Sequence, residues 1–204
     1  MTHCFSRRSF LKGSAAAAAA LTSPLLPADA AFSETENGLF SPVSALCQTQ
    51  YGPVKGREGE NGLLCWYGIP YGAAPTGESR WTAPQEPARW HAVRDCTSPA
   101  PAAYQYTTFP LGTEDCLTLD IYSMPEAKKR PVLVYLHGSA ATGSSLELPG
   151  SELVQDAGCV FVALNYRLGL FGWNCLPALT ADPDATGNFA LLDIARALDW
   201  VKEN

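Results

Sequence analysis

The chain has 204 residues, 47% of them hydrophobic and 17% charged, and its formal net charge at pH 7 is -6. This composition is ordinary for a globular domain with a buried core, and it excludes a chain that is disordered over most of its length. Arg7, Arg8 and Lys12 make the first 30 residues basic, so the remainder is more acidic than the whole chain. An acidic surface of this kind argues against nucleic acid as a partner.

Residues 1–30 have the pattern of an export signal. The basic segment Ser6 to Lys12 contains the pair Arg7-Arg8, the apolar run Ala15 to Leu21 follows it, and small residues lie at Ala28-Asp29-Ala30. This order predicts a twin-arginine signal peptide and export to the periplasm or the extracellular space. The apolar run is too short to remain as a stable membrane span. The alternative is a basic helix followed by a low-complexity alanine run.

Residues 43–110 predict short strands and then a long loop. Between residues 43 and 73, short apolar segments alternate with Gly52-Pro53, Gly59 and Gly62, which indicates a small antiparallel sheet that ends at Gly68-Ile69-Pro70-Tyr71. Residues 75–110 contain many prolines and aromatic residues without a period, so we expect an irregular covering loop there.

The second half of the chain predicts buried strands and a helix. Three apolar runs have strand length: Leu117 to Tyr122, Val132 to Leu136 and Val160 to Leu164. Residues 187–204 have helical spacing instead, since Leu191, Ile194 and Leu198 share one face. Strands separated by loops and helices favour an α/β domain over residues 31–204, with a mostly parallel sheet covered on both sides.

Several motifs in one order resemble the front half of the type-B carboxylesterases, a family of serine ester hydrolases. They are Gly68 to Tyr71, Arg80, Glu114-Asp115-Cys116-Leu117, residues 131–138 (PVLVYLHG), Asn165 to Gly169 and residues 187–204 (GNFALLDIARALDWVKEN). The resemblance implies the N-terminal part of an α/β-hydrolase fold. In that family the strand at Val132 to Leu136 lies between the strand at Val160 to Leu164 and the strand that leads to the nucleophilic serine.

The resemblance also implies where the chemistry of the family lies. The nucleophilic serine of these enzymes sits in a Gly-x-Ser-x-Gly turn one strand beyond the helix that ends here at Asn204. No complete motif of that form occurs in this sequence. We therefore expect a fragment without the nucleophile and the catalytic triad, inactive alone, whose partner is the missing C-terminal part of the same domain. Its edge strand, Val132 to Leu136, should then be exposed and promote aggregation.

A candidate oxyanion-binding loop follows that strand. The family carries a His-Gly-Gly-Gly run here, and the amides of its second and third glycines bind the oxyanion. This sequence has His137-Gly138-Ser139-Ala140, so the resemblance assigns the role to the backbone amides of Ser139 and Ala140. If either residue needs a positive φ, its side chain costs about 1 to 2 kcal/mol and favours another loop conformation. The alternative is a plain turn with a structural histidine.

The resemblance further implies one disulfide and two structural ion pairs. Cys96 and Cys116 correspond to the cysteines that close a loop in the family. The alternative is that both are unpaired, buried thiols. The sequence leaves open how the other cysteines pair, namely Cys47, Cys65, Cys159 and Cys175. The cysteines lack metal-ligand spacing, so the sequence suggests no metal site. The implied ion pairs are Arg80 with Glu114 and Arg167 with Asp193. The alternative for each pair is solvent-screened surface charge.

Two functions follow as hypotheses. The first is the N-terminal portion of an exported serine carboxylesterase that hydrolyses small-molecule carboxylic esters through an acyl-enzyme, with no metal and no organic cofactor. The second is a non-catalytic binding or adhesion module built on an α/β-hydrolase-like scaffold. The altered sequence Gly138-Ser139-Ala140 is the best support for the second.

Overall fold

The structure is a computed structural model that describes residues 45–125, 129–176, 178–179 and 187–204. The predicted signal peptide, residues 1–30, lies outside the described residues. In chain order the strands are β1 (Leu46–Gln48), β2 (Pro53–Lys55), β3 (Arg57–Glu58), β4 (Leu64–Pro70), β5 (Arg94–Asp95), β6 (Gln105–Tyr106), β7 (Pro110–Leu111), β8 (Thr118–Ser123), β9 (Val132–Leu136) and β10 (Val160–Leu164). The α-helical segments are α1 (Ser151–Ala157), α2 (Gly169–Gly172) and α3 (Phe189–Glu203).

The central sheet has five strands in the order β3-β4-β8-β10-β9. Within the central sheet, as far as the structure describes it, only β10 and β9 pair in parallel, while β3, β4, β8 and β10 pair antiparallel in turn. The sheet is therefore mixed over this part of the chain, whereas the sequence predicts a mostly parallel one. The order of apolar runs along the sequence does not reveal strand direction, which depends on how each connection crosses the sheet.

The small sheet near the N-terminus contains different strands from those predicted. It contains β1, β2 and β5, whereas β4 belongs to the central sheet. β4 pairs antiparallel with β3, which lies within the predicted small sheet, but the other edge of β4 pairs with β8. This second pairing joins residues about fifty positions apart, so no local pattern predicts it.

The two faces of the central sheet form two apolar cores because side chains alternate along each strand. Val160, Val162 and Leu164 of β10 pack in the cluster that contains Ala197 and Trp200 of α3. Phe161 and Ala163 of the same strand pack in the cluster that contains Val154 of α1. β10 is therefore buried on both sides, as its continuous apolar sequence predicts.

β9 lies at the edge of the sheet and pairs with β10, which is one of the two neighbours that the resemblance implies. Three of its apolar side chains are exposed: Val132 by 37%, Leu133 by 41% and Leu136 by 45%. Among the described residues no strand pairs with its outer edge. Over the same residues, no helix is long and apolar enough to cross a membrane.

Candidate functional site

The candidate site is the loop of residues 138–143 that follows β9, here called the β9 loop. It begins at the carboxyl end of the parallel pair in the central sheet, where the ends of β9 and β10 are side by side. In α/β sheets, ligand sites lie beyond the carboxyl ends of the strands. The sequence places His137-Gly138 at this position, so the fold puts the predicted loop where a ligand site is expected.

Tyr166 holds the first end of the loop. Its hydroxyl donates a hydrogen bond of 2.7 Å to the backbone oxygen of His137. The two rings stack with centroids 4.3 Å apart and planes 5° from parallel. Gly143 also packs against the histidine ring, because a Cβ at Gly143 would lie 2.2 Å from the ring Nδ1. Only glycine fits at that position without displacing His137.

Gln105 and Gly169 hold the rest of the loop. The amide group of Gln105 pairs with the backbone of Gly143, accepting from its N–H at 3.0 Å and donating to its carbonyl at 2.9 Å. The N–H of Gly169, at the start of α2, donates to the carbonyl oxygen of Ala140 at 2.7 Å. The β9 loop is thus fixed by three residues from two separate parts of the chain: Gln105 in the covering loop, and Tyr166 and Gly169 in the segment after β10.

Ser139 adopts the left-handed backbone conformation, with a φ of 67°. This is the condition under which the sequence predicts a strained loop, since a side chain is unfavourable there. The hydroxyl of Ser139 offsets part of that cost, because it accepts hydrogen bonds from the N–H groups of Ala141 at 3.1 Å and Thr142 at 3.3 Å. The loop therefore keeps a defined turn although serine replaces glycine.

The backbone N–H groups of Ser139 and Ala140 are free to bind a ligand. Both residues are exposed, and within the described part of the chain neither N–H donates to a protein acceptor. The carbonyl of Ala140 is bound to Gly169, which holds in place the peptide that directly follows these two amides. Two adjacent unpaired amides on a fixed loop are suited to bind an anionic oxygen.

A buried polar network adjoins the end of the loop, and no motif in the sequence predicted it. Asp120 of β8 is 1% exposed and accepts hydrogen bonds from the hydroxyl of Ser145 at 2.7 Å and from the N–H of Gly68 at 2.8 Å. Asn165 bonds both the N–H and the hydroxyl of Ser145. Burial raises the pKa of the Asp120 carboxyl, and its two hydrogen bonds oppose that rise. The available signal was a carboxylate inside an apolar strand, which is rare without a specific partner.

The structure brings both predicted ion pairs together. Arg167 contacts Asp193 through two bonds, Nε to Oδ2 at 2.9 Å and Nη2 to Oδ1 at 2.7 Å, and the side chains are 2% and 0% exposed. Arg80 contacts Glu114 in the same two-bond geometry at 2.5 and 2.7 Å, with exposures of 33% and 23%. The first pair joins the segment after β10 to α3, and the second joins the covering loop to the segment before β8.

Cys96 and Cys116 do not form the predicted disulfide in the structure, where both are free cysteines. Both belong to the same apolar core cluster, and each is 1% exposed. Burial raises the pKa of Cys96 to about 12 and raises the pKa of Cys116 as well, so each thiol behaves as a small apolar side chain. Among the described residues, no group of three or more His, Cys, Asp or Glu side chains is placed to hold a metal ion.

Comparison with known proteins places this arrangement among esterases. A model of the carboxylesterase family matches residues 43–204, and a model of the twin-arginine translocation pathway signal sequence matches residues 4–24. The para-nitrobenzyl esterase of Bacillus subtilis (strain 168) is 40% identical over 168 residues, which are 76% of this chain and 34% of that protein. The fumonisin B1 esterase of Sphingopyxis macrogoltabida is 36% identical over 169 residues, 76% of this chain and 31% of that protein.

Solved structures agree with the sequence comparison. The carboxylesterase EST55 of Geobacillus stearothermophilus superposes with a TM-score of 0.70 and 38% identity, covering 78% of this chain and 34% of that one. A para-nitrobenzyl (PNB) esterase structure gives a TM-score of 0.70 and 39% identity, covering 78% of this chain and 35% of that one. The chain therefore spans about a third of the length of the relatives that it matches.

Proposed function

Because the chain belongs to the carboxylesterase family, we propose that the full-length product of its gene is a serine carboxylesterase that hydrolyses small-molecule carboxylic esters, of whatever acyl size, through an acyl-enzyme. The family match confirms the predicted resemblance, and the structural neighbours confirm the α/β-hydrolase fold class. The match at residues 4–24 confirms a signal for export by the twin-arginine pathway, to the periplasm or the extracellular space. The domain of the family would then begin after the signal, over residues 31–204.

The observation that carries this proposal is the pair of unpaired amides at Ser139 and Ala140. When a nucleophile attacks an ester carbonyl, negative charge develops on the carbonyl oxygen, and fixed N–H donors stabilise that charge. The β9 loop offers two such donors, and Tyr166, Gln105 and Gly169 hold it in place. The loop thus supplies the electrostatic part of acyl transfer, while the serine, the histidine and the acid belong to the remainder of the full-length protein.

The exposed edge of β9 supports this division of the catalytic groups. Its unpaired backbone edge and its exposed Leu133 and Leu136 lie beside the loop that carries the amides. A strand of the same domain that pairs there would cover both features and would end next to the β9 loop. We assign that place to the strand that carries the nucleophile.

Ester hydrolysis by the full-length product tests the proposal. We expect it to hydrolyse para-nitrophenyl acetate and to lose this activity when treated with phenylmethylsulfonyl fluoride, which modifies reactive serines. A folded full-length protein that hydrolyses no aryl ester would instead support the binding-module hypothesis, which the serine at position 139 keeps open. Activity that survives the serine reagent but is lost with a chelator would contradict the serine mechanism.

A loop variant tests whether the amides take part. Gly143→Ala forces a Cβ to within 2.2 Å of His137 Nδ1 and should move the β9 loop. Since a displacement of about 1 Å can cost about a hundredfold in rate, we expect kcat to fall by at least about tenfold with little change in KM. Gly62→Ala is the matched control, because Gly62 also has a positive φ of 74° but its added Cβ meets no atom within 4 Å. Equal kcat values for the two variants would remove the loop from the mechanism.

The disulfide remains part of the proposal for the exported protein. Cys96 and Cys116 lie in one core cluster, and the compartments beyond the twin-arginine pathway allow disulfides. We expect mass spectrometry of the protein purified from its exported form to show this bond. Two alkylated cysteines at these positions without prior reduction would exclude it.

A further inference from the structure

Asp120 occupies an unusual position in the central sheet. It pairs with Ala163 of β10 on one side and lies opposite the bulge in β4, between Trp66 and Ile69, on the other. The extra residue of the bulge leaves the N–H of Gly68 outside the strand ladder, and the Asp120 carboxylate accepts it at 2.8 Å. Among the described ion pairs none includes Asp120, so neutral donors alone solvate this buried carboxylate.

The hydrogen bonds around Ser145 allow only one consistent assignment of donors and acceptors. The N–H of Ser145 donates to Oδ1 of Asn165 at 2.9 Å, which identifies that atom as the amide oxygen. The Nδ2 of Asn165 therefore faces the Ser145 hydroxyl and donates to it at 3.0 Å. The hydroxyl hydrogen of Ser145 is then left for Oδ2 of Asp120, at 2.7 Å.

This chain of bonds joins the centre of the sheet to the end of the β9 loop. Ser145 lies two residues beyond Gly143, and its side chain is 1% exposed, as is that of Asn165. Tyr166 holds the first end of the loop, Gly169 its middle and Gln105 its last residue, Gly143. Ser145 is a further anchor, which ties the chain directly after the loop to the sheet. An apolar side chain at position 120 would suit the strand but would leave the Ser145 hydroxyl without its acceptor.

We propose that Asp120 is a positioning residue for the backbone amides of Ser139 and Ala140, and that it acts through Ser145. This inference rests on the proposed ester hydrolysis, in which those amides bind the developing oxyanion. Oxyanion donors act only within a narrow range of distance, so an anchor that sets the loop position controls kcat rather than substrate binding. Asp120 does not touch the substrate in this role.

The experiment compares four variants of the full-length protein in para-nitrophenyl acetate hydrolysis. We expect Ser145→Ala and Asp120→Ala each to lower kcat by about tenfold to a hundredfold and to leave KM within about twofold. Asp120→Asn should recover part of the loss, because its amide oxygen still accepts the Gly68 N–H and its NH2 group can donate to Ser145. Ser144→Ala is the matched control, since within the described part of the chain the Ser144 hydroxyl bonds only the nearby N–H of Leu146, and it should leave kcat unchanged.

A second measurement separates this inference from the proposed function. Amide hydrogen exchange at Gly143 and Ser145 should be at least about tenfold faster in Ser145→Ala than in Ser144→Ala, whether or not the protein hydrolyses esters. Unchanged exchange in Ser145→Ala would overturn the inference, as would a loss of kcat that Asp120→Asn does not recover at all. If exchange is faster in Ser145→Ala but the wild-type protein cleaves no ester, the anchoring of the loop through Ser145 stands and the esterase proposal fails. Ser145→Ala still tests this anchor if Asp120→Ala does not fold, and Asp120→Asn then tests the part that Asp120 plays.

Discussion

Two buried carboxylates, Asp193 and Asp120, have different kinds of hydrogen-bond partner: one has a charged partner and the other has only neutral donors. Asp193 is 0% exposed and meets the charged fork of Arg167, whereas Asp120 is 1% exposed and meets only a hydroxyl and a backbone N–H. Burial raises the pKa of both groups. At Asp193 the hydrogen bonds and charge of Arg167 oppose the rise, and at Asp120 the bonds from Ser145 and Gly68 do so.

The difference indicates what each carboxylate contributes. The Arg167 pair is a cross-link between separate elements, since it joins the segment after β10 to α3, and Arg167 also donates to the carbonyl of Thr82. Removing one partner of such a pair leaves a buried charge uncompensated. Asp120 forms no ion pair with another element among the described residues, so substitutions of Asp120 should affect the position of the β9 loop more than the stability of the fold.

The largest expected effect comes from Arg167→Ala. It leaves the Asp193 carboxylate buried without its cation, so we expect the free energy of unfolding of the full-length protein to fall by about 3 to 5 kcal/mol. Arg167→Lys should lose less, because lysine keeps the charge but not the two-bond geometry. Urea unfolding measures both. An Arg167→Ala protein with wild-type stability would mean that Asp193 is not buried as described.

A smaller effect, which depends on pH, is expected at Asp120. Its pKa is higher in the folded protein than the ordinary value of about 3.9, so the folded state holds this proton more tightly than the unfolded chain does. The resulting stabilisation is complete below about pH 3.9 and is lost as the pH rises through the folded-state pKa. Asp120→Asn has no such proton, so its stability relative to wild type should increase over that pH range.

Urea unfolding of the wild type and of Asp120→Asn, in steps from pH 4 to pH 8, checks this expectation. Taking the difference between the two proteins at each pH removes the contribution of every other titrating group. The slopes of unfolding free energy against urea should match, which shows that the two proteins expose the same surface on unfolding. A stability difference that is constant with pH would mean that Asp120 titrates as an exposed carboxyl does.

Local patterns predicted the regular elements well. β9 and β10 have the predicted bounds, β8 begins one residue later than predicted, and α3 lies within the predicted helix. Each of these elements is recognisable from its own residues, through an apolar run or a helical period. The pairing of β4 with β8 was missed because it joins distant segments, and the strand directions were missed for the same reason.

The candidate site was only partly predictable. The position of Ser139 and Ala140 followed from the motif after β9, but the residues that hold the loop did not. Gln105, Tyr166 and Ser145 act through contacts between parts of the chain that are distant in sequence. Ser145 in particular has the sequence context of an exposed loop, and only its burial against Asp120 distinguishes it from Ser144.

The smallest expected effect is at the exposed counterpart of the Arg167 pair. Arg80 and Glu114 have the same two-bond geometry as Arg167 and Asp193, but their side chains are 33% and 23% exposed. Water can solvate either charge when its partner is removed, so Arg80→Ala should lower the melting temperature by less than a third of the Arg167→Ala decrease. Raising the salt concentration to about 1 M should shrink the Arg80→Ala effect further and leave the Arg167→Ala effect nearly unchanged, because salt screens exposed charges and not buried ones. Equal decreases in melting temperature for the two variants, unaffected by salt, would show that burial does not make one ion pair more stabilising than the other. The contribution of Arg80 to stability would then come from its contacts with the Trp81 and Phe171 rings.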